Sequence, residues 1–79
     1  MKVRVRFFAA PREQIGRGEM ELEFPEGTTL SQLRAFLLEQ YPFLRDVALQ
    51  FAVNAVYARE DIPLHDGDEI ACIPPVGGG

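Results

Sequence analysis

Residues 2–8, KVRVRFF, alternate along the chain. Val3, Val5 and Phe7 fall on one side, and Lys2, Arg4 and Arg6 on the other. A period of two predicts a half-buried strand. The alternation returns at EMELEF, where Met20, Leu22 and Phe24 are apolar and Glu19, Glu21 and Glu23 are charged. This second strand is expected to pair with the first as a hairpin. Between them, APREQIGRG offers Pro11 to start a short helical turn and Gly16 or Gly18 to end it.

The period changes at TTLSQLRAFLLEQYP. Leu30, Leu33, Phe36, Leu37 and Tyr41 form one apolar stripe at helical spacing. Thr29 caps this helix, Gln32 completes a capping box, and Pro42 stops it. The stripe reads as core packing. ALQFAVNAVYA then predicts two short strands around Asn54-Ala55, with Leu49, Phe51 and Val53 on one face and Gln50 and Ala52 on the other. EDIPLHDGDE reads as loop with an Asp66-Gly67 turn. EIACI is the last strand, and Pro74, which has no N–H, ends its ladder.

The order is strand, strand, helix, strand, a short further strand, and strand. One helix must then cover one face of a single sheet. These elements predict an α+β chain with the β-grasp, or ubiquitin-like, arrangement: a mixed sheet of four to five strands with one main helix on one face. Residues 1–73 form the β-grasp domain, and residues 74–79 an extended C-terminal glycine tail.

Composition narrows the function classes. The chain has 79 residues and a net charge of −4, and no two Lys or Arg are adjacent. A nucleic-acid partner is not expected, because phosphate binding needs a basic surface. The single Cys72 excludes an internal disulfide. No apolar run approaches the roughly 20 residues that span a bilayer, so no membrane partner and a cytoplasmic location are expected.

Side-chain chemistry is sparse. His65 lies in a turn beside Asp66 and reads as solvated. Cys72 shares the core face with Ile70 and reads as a buried small hydrophobe. Asp66, Asp68 and Glu69 cluster, but no converging ligands are visible for a metal, and solvation of the turn is the expected role. No built-in active site is expected.

The chain ends CIPPVGGG. Pro74 and Pro75 favour a stiff, extended conformation that points away from the sheet. The six residues from Pro74 reach up to roughly 20 Å. Gly77, Gly78 and Gly79 add almost no width, and they accept any backbone angle that a partner's channel imposes. Such a tail could deliver one group, the α-carboxylate of Gly79, deep into another protein. Once activated as an acyl-adenylate, that carboxylate could become a thiocarboxylate or form an amide. A glycine-rich end without a role is the competing reading.

VRFFA, RE, GTTLSQL, AVN and above all PLHDGDEIACIPPVGGG resemble the small subunit of molybdopterin synthase, the MoaD family of sulfur carriers. The resemblance runs through nearly the whole chain. It implies that an ATP-using, MoeB-type enzyme adenylates Gly79 and that a sulfur donor converts it to a thiocarboxylate. The tail, formed by Pro74, Pro75, Val76, Gly77, Gly78 and Gly79, would then enter a MoaE-type large subunit, where sulfur passes to a cyclic pyranopterin precursor. No cofactor is expected to be held stably. The chain departs from the family at Gly77, where a small polar residue is frequent, and at Cys72-Ile73, where aromatics are common.

Alternation places Arg4, Arg6, Gln50, Ala52, Ala71 and Ile73 on the sheet face away from the helix, as a partner-docking face. Three competitors remain open. One is a sulfur carrier for the thiamine thiazole or a thiolated tRNA base. Another is a ubiquitin-like protein modifier, and the last a binding module with an idle tail.

Overall fold

The computed structural model describes residues 1–75. Its elements are β1 (Lys2–Phe7), α1 (Ala9–Ile15), β2 (Glu19–Glu23), α2 (Leu30–Gln40), a 3-10 turn (Pro42–Asp46), β3 (Gln50–Val53), β4 (Val56–Tyr57) and β5 (Glu69–Ile73). The five strands make one sheet in the order β2-β1-β5-β3-β4. β1 and β2 are antiparallel, with Lys2 opposite Glu23 and Arg6 opposite Glu19. β1 and β5 are parallel, which requires the long crossover that α2 supplies. This is the β-grasp.

Alternation becomes burial. Val3, Val5 and Phe7 of β1 and Ile70 and Cys72 of β5 are all 0–1% exposed. They meet Leu30, Leu33 and Leu37 of α2, spaced by three and four residues on one helix face. Phe36 and Tyr41 pack at the margin of this core, and the Phe24 and Phe36 rings meet edge-on at 5.4 Å. Burying each large aliphatic or aromatic side chain contributes about 1.5–3 kcal/mol before entropy is counted. The predicted capping box is present: the Thr29 hydroxyl accepts from the Gln32 N–H, and the Gln32 side chain accepts from the Thr29 N–H.

Four features differ from the sequence expectation. α1 begins at Ala9, two residues before Pro11, though it ends as expected at Gly16, whose φ of 88° suits a residue without Cβ. The chain does not go slack after Pro42; its 3-10 turn buries Leu44 in the core. The loop before β5 buries Leu64, because Leu30 N–H donates to Ile62 O and Leu64 N–H to Thr28 O. Asp68 is buried and not a solvated turn residue. It accepts from the Asn54 side chain at 2.9 Å and from the His65 N–H at 2.8 Å.

Asn54 completes that knot. Its side-chain oxygen accepts from Glu69 N–H at 3.0 Å, and its own N–H donates to Glu69 O at 2.8 Å. Asp66 accepts from Lys2 N–H at 2.7 Å, and Gly67, with φ of 86°, donates to Lys2 O. The AVN and DGDE segments therefore fasten the β3–β4 hairpin and β1 to the start of β5. In this way they set the strand from which the tail departs.

Candidate functional site

The site consists of the root of the tail and the sheet face around it. β5 ends at Ile73; Pro74 is half-buried and Pro75 exposed. The predicted insertion residues Val76, Gly77, Gly78 and Gly79 lie outside the described residues. Because β5 runs parallel to β1, with Phe7 opposite Cys72, the chain leaves the sheet at the same end as Phe8.

Cross-strand register assigns the faces. Val5 pairs with Ile70, and Phe7 with Cys72, on the helix side. Arg4 pairs with Glu69 and Glu21, Arg6 with Ala71 and Glu19, Gln50 with Ile73, and Ala52 with Ala71 and Tyr57. All six residues of the expected docking face therefore lie on the open side. One of them offers almost no surface: Ala52 is 5% exposed, its methyl too short to rise above its neighbours in mid-sheet.

The open face divides into two halves. On β1 and β2, Lys2, Arg4 and Arg6 stand in a column beside Glu23, Glu21 and Glu19. Glu69 bridges both arginines, with Oε2 at 3.7 Å from Arg4 Nη1 and Oε1 at 3.4 Å from Arg6 Nη1, while Lys2 lies 3.9 Å from Glu21. Arg4 and Arg6 thus have partners within the chain. Beyond Glu69 the charges stop. Ala71 and Ile73 of β5, Gln50 and Ala52 of β3, and Tyr57 of β4 carry none.

Sequence reasoning missed two residues here. Phe8 is 38% exposed, just beyond β1 with the Arg6 guanidinium over its ring, and Tyr57 is 58% exposed on the open side, in line with Ala52 and Ala71. Phe8 was legible, since it follows Arg6 by two positions and so breaks a polar parity with an aromatic ring. Tyr57 was not, because its side depends on the tight Asn54-Ala55 turn, whose residues both have positive φ. Val56 is also exposed, but it pairs with Val53 and belongs to the rim of the opposite face.

Among the described residues, no buried side chain is activated for reaction. Cys72 is fully buried, and desolvation pushes its thiol up to about 12, so the thiolate is not populated near neutrality. His65 is exposed in the turn, where its backbone serves Asp68. Glu69, Asp68 and Asp66 are each engaged as described, and among the described residues no group of three or more His, Cys, Asp or Glu could hold a metal ion. Nor is any helix among them long and apolar enough to cross a membrane. What the described residues present is a half-buried proline root at the end of β5, beside the uncharged part of the open sheet face.

The ThiS family matches residues 5–79, nearly the whole chain. The chain belongs to the ThiS family. Among relatives of this ThiS-family chain, the molybdopterin synthase sulfur carrier subunit of Mycobacterium tuberculosis is 42% identical over 82 residues, covering 100% of this chain and 99% of the relative. The protein of the same name from Escherichia coli is 40% identical, covering 98% and 99%. Two solved structures share the fold. A complex of subunits 1 and 2 of the molybdopterin-converting factor from Helicobacter pylori contains a chain with a TM-score of 0.72 and 32% identity, with full coverage of both chains. Small archaeal modifier protein 1 from Methanosarcina acetivorans has a TM-score of 0.79 at 26% identity, covering 99% and 96%. The sulfur-carrier resemblance read from the sequence stands, and so does the β-grasp.

Proposed function

We propose that this ThiS-family chain is the sulfur-carrier subunit of a molybdopterin synthase, with the α-carboxylate of Gly79 as the carrying group. The observation that carries the reading is end-to-end similarity at about two-fifths identity to proteins named for that role. The architecture supports it. The reactive thiol of a carrier with an internal cysteine would need exposure and a lowered pKa, and Cys72 has neither. The chain's other candidate for chemistry is its terminus.

An adenylating enzyme of the MoeB type joins the Gly79 carboxylate to AMP, releasing pyrophosphate from ATP. A donor that delivers sulfur at the sulfide level attacks the acyl carbon, AMP leaves, and a thiocarboxylate remains on Gly79. The charged tail, Pro74 to Gly79, enters a large subunit of the MoaE type, where the sulfur passes to the cyclic pyranopterin precursor and the carboxylate is regenerated with an oxygen from water. The H. pylori complex of two subunits supports a large-subunit partner for this chain.

The apolar half of the open face is the handle. Ile73 immediately precedes the tail's root, and Phe8 and Tyr57 lie on the same open side, so a partner that covers this side is placed to receive the tail. Arg4 and Arg6 stand at the edge of this handle, held by Glu69, so their contribution to binding is indirect or small. At about 25 cal/mol per Å², three such side chains supply several kcal/mol of gross binding, offset by the cost of ordering the tail.

The test is intact-mass analysis after incubation with adenylating enzyme, ATP and sulfur donor. The expected result is exchange of one oxygen for sulfur at Gly79, and no exchange in a variant lacking Gly78 and Gly79. Isopeptide adducts of Gly79 with lysines, in place of that exchange, would make the chain a protein modifier.

A further inference from the structure

Phe8 is an exposed ring at the end of a strand, where an aromatic side chain ordinarily samples several rotamers. Here it is held from one side. The Arg6 guanidinium lies over the ring, with Cζ 5.7 Å from its centroid, within the range of a cation–π contact. Arg6 is held in turn, because its Nη1 lies 3.4 Å from Glu69 Oε1. Glu69 is fixed at both ends. Its backbone N–H donates to Asn54, and its second carboxylate oxygen lies 3.7 Å from Arg4. From the other side, Ala9 takes a left-handed φ of 54° immediately after Phe8. That conformation is unfavourable for alanine and turns the chain sharply into α1.

From this geometry we infer that Glu69 and Arg6 are positioning residues that hold the Phe8 ring in its docking orientation before the partner arrives. The inference rests on the reading of the apolar half as the docking face. Its physical content is preorganisation: a ring ordered in the free chain loses less rotamer freedom on binding. Arg6 acts through Phe8 and needs no partner carboxylate of its own.

A double-mutant cycle tests this, with affinity for the large subunit as the readout. Phe8→Ala weakens binding. Arg6→Met weakens it roughly two- to fivefold in the otherwise native chain and has no further effect when Phe8→Ala is present. Arg6→Lys restores part of the loss. In the free protein, side-chain NMR relaxation shows a less ordered Phe8 ring in Arg6→Met, while the thermal midpoint of unfolding is unchanged. Equal losses from Arg6→Met with and without Phe8 would overturn the proposal, since Arg6 would then touch the partner directly. So would an Arg6→Met variant that binds as tightly as the native chain while Phe8→Ala binds weakly. If Phe8→Ala itself leaves affinity untouched, the docking reading fails on this side and the positioning role fails with it.

Discussion

The two halves of the open sheet face are built from the same strand geometry, and their contrast is what the proposed handle rests on. On β1 and β2 every outward residue is charged, and each basic side chain stands opposite a glutamate. Such a lattice is content in water. Its ion pairs are exposed and contribute about 0–1 kcal/mol each. It also blunts β2, a sheet edge otherwise open to pairing with another chain. Beyond Glu69, the outward residues of β5, β3 and β4 are uncharged and include Ile73 and Tyr57. Water gains nothing from that half, and a partner does. Glu69 marks the border between them.

The contrast can be broken at several depths. A charge placed in the apolar half, Ile73→Asp, should weaken large-subunit binding the most, by about 2–4 kcal/mol or some thirty- to thousandfold, because an unpaired carboxylate would be buried at the interface. Titration calorimetry reads this directly. Equal tolerance of Ile73→Asp and Glu21→Gln would erase the distinction between the halves. Next in size is the knot beneath the border. Asn54→Ala leaves the buried Asp68 carboxylate without its side-chain donor and should cost about 1–3 kcal/mol in urea denaturation. Ala55→Gly should raise stability by about 0.5–1 kcal/mol, since Ala55 has φ of 70° in a two-residue hairpin turn. Smallest is Glu21→Gln in the charged half, expected within about 0.5 kcal/mol of the native stability and without effect on binding.

A pH scan separates the surface from the core. Asp61 accepts from the Ser31 N–H at 2.8 Å and from its hydroxyl at 2.7 Å, and these bonds hold its carboxyl below the ordinary aspartate range. Its contribution to stability is therefore present above about pH 4 and lost as pH falls through the lowered value. Asp61→Asn should flatten that acid limb. Cys72 works in the opposite direction. Its raised value means that stability falls as pH climbs above the ordinary thiol range toward 12. At neutral pH it should resist alkylation until the chain unfolds.

Much of this fold was legible because parity and period carry through to burial. Val3, Val5, Phe7, Leu33, Leu37, Ile70 and Cys72 all lie where their spacing put them. Strand order was less legible. Alternation gives a strand its faces, but not its neighbours, and the parallel β1–β5 pairing depends on the crossover. The residues misread share another cause. Asp68 and Leu64 sit in a stretch with no period, and tertiary hydrogen bonds decide their burial. Leu44 follows a proline that ends one helix and opens a 3-10 turn. Of the site, the apolar Ile73 was visible from parity, while Tyr57 needed the turn geometry and Phe8 needed weight given to one aromatic on a polar side.

The most direct measurement is a single turnover. The chain is loaded as its Gly79 thiocarboxylate, mixed with the large subunit and the pterin precursor, and followed by intact mass and by assay of the dithiolene product. Loss of sulfur from the chain in step with product formation is the predicted result. A chain that binds the large subunit yet keeps its sulfur in the presence of the precursor would contradict the account.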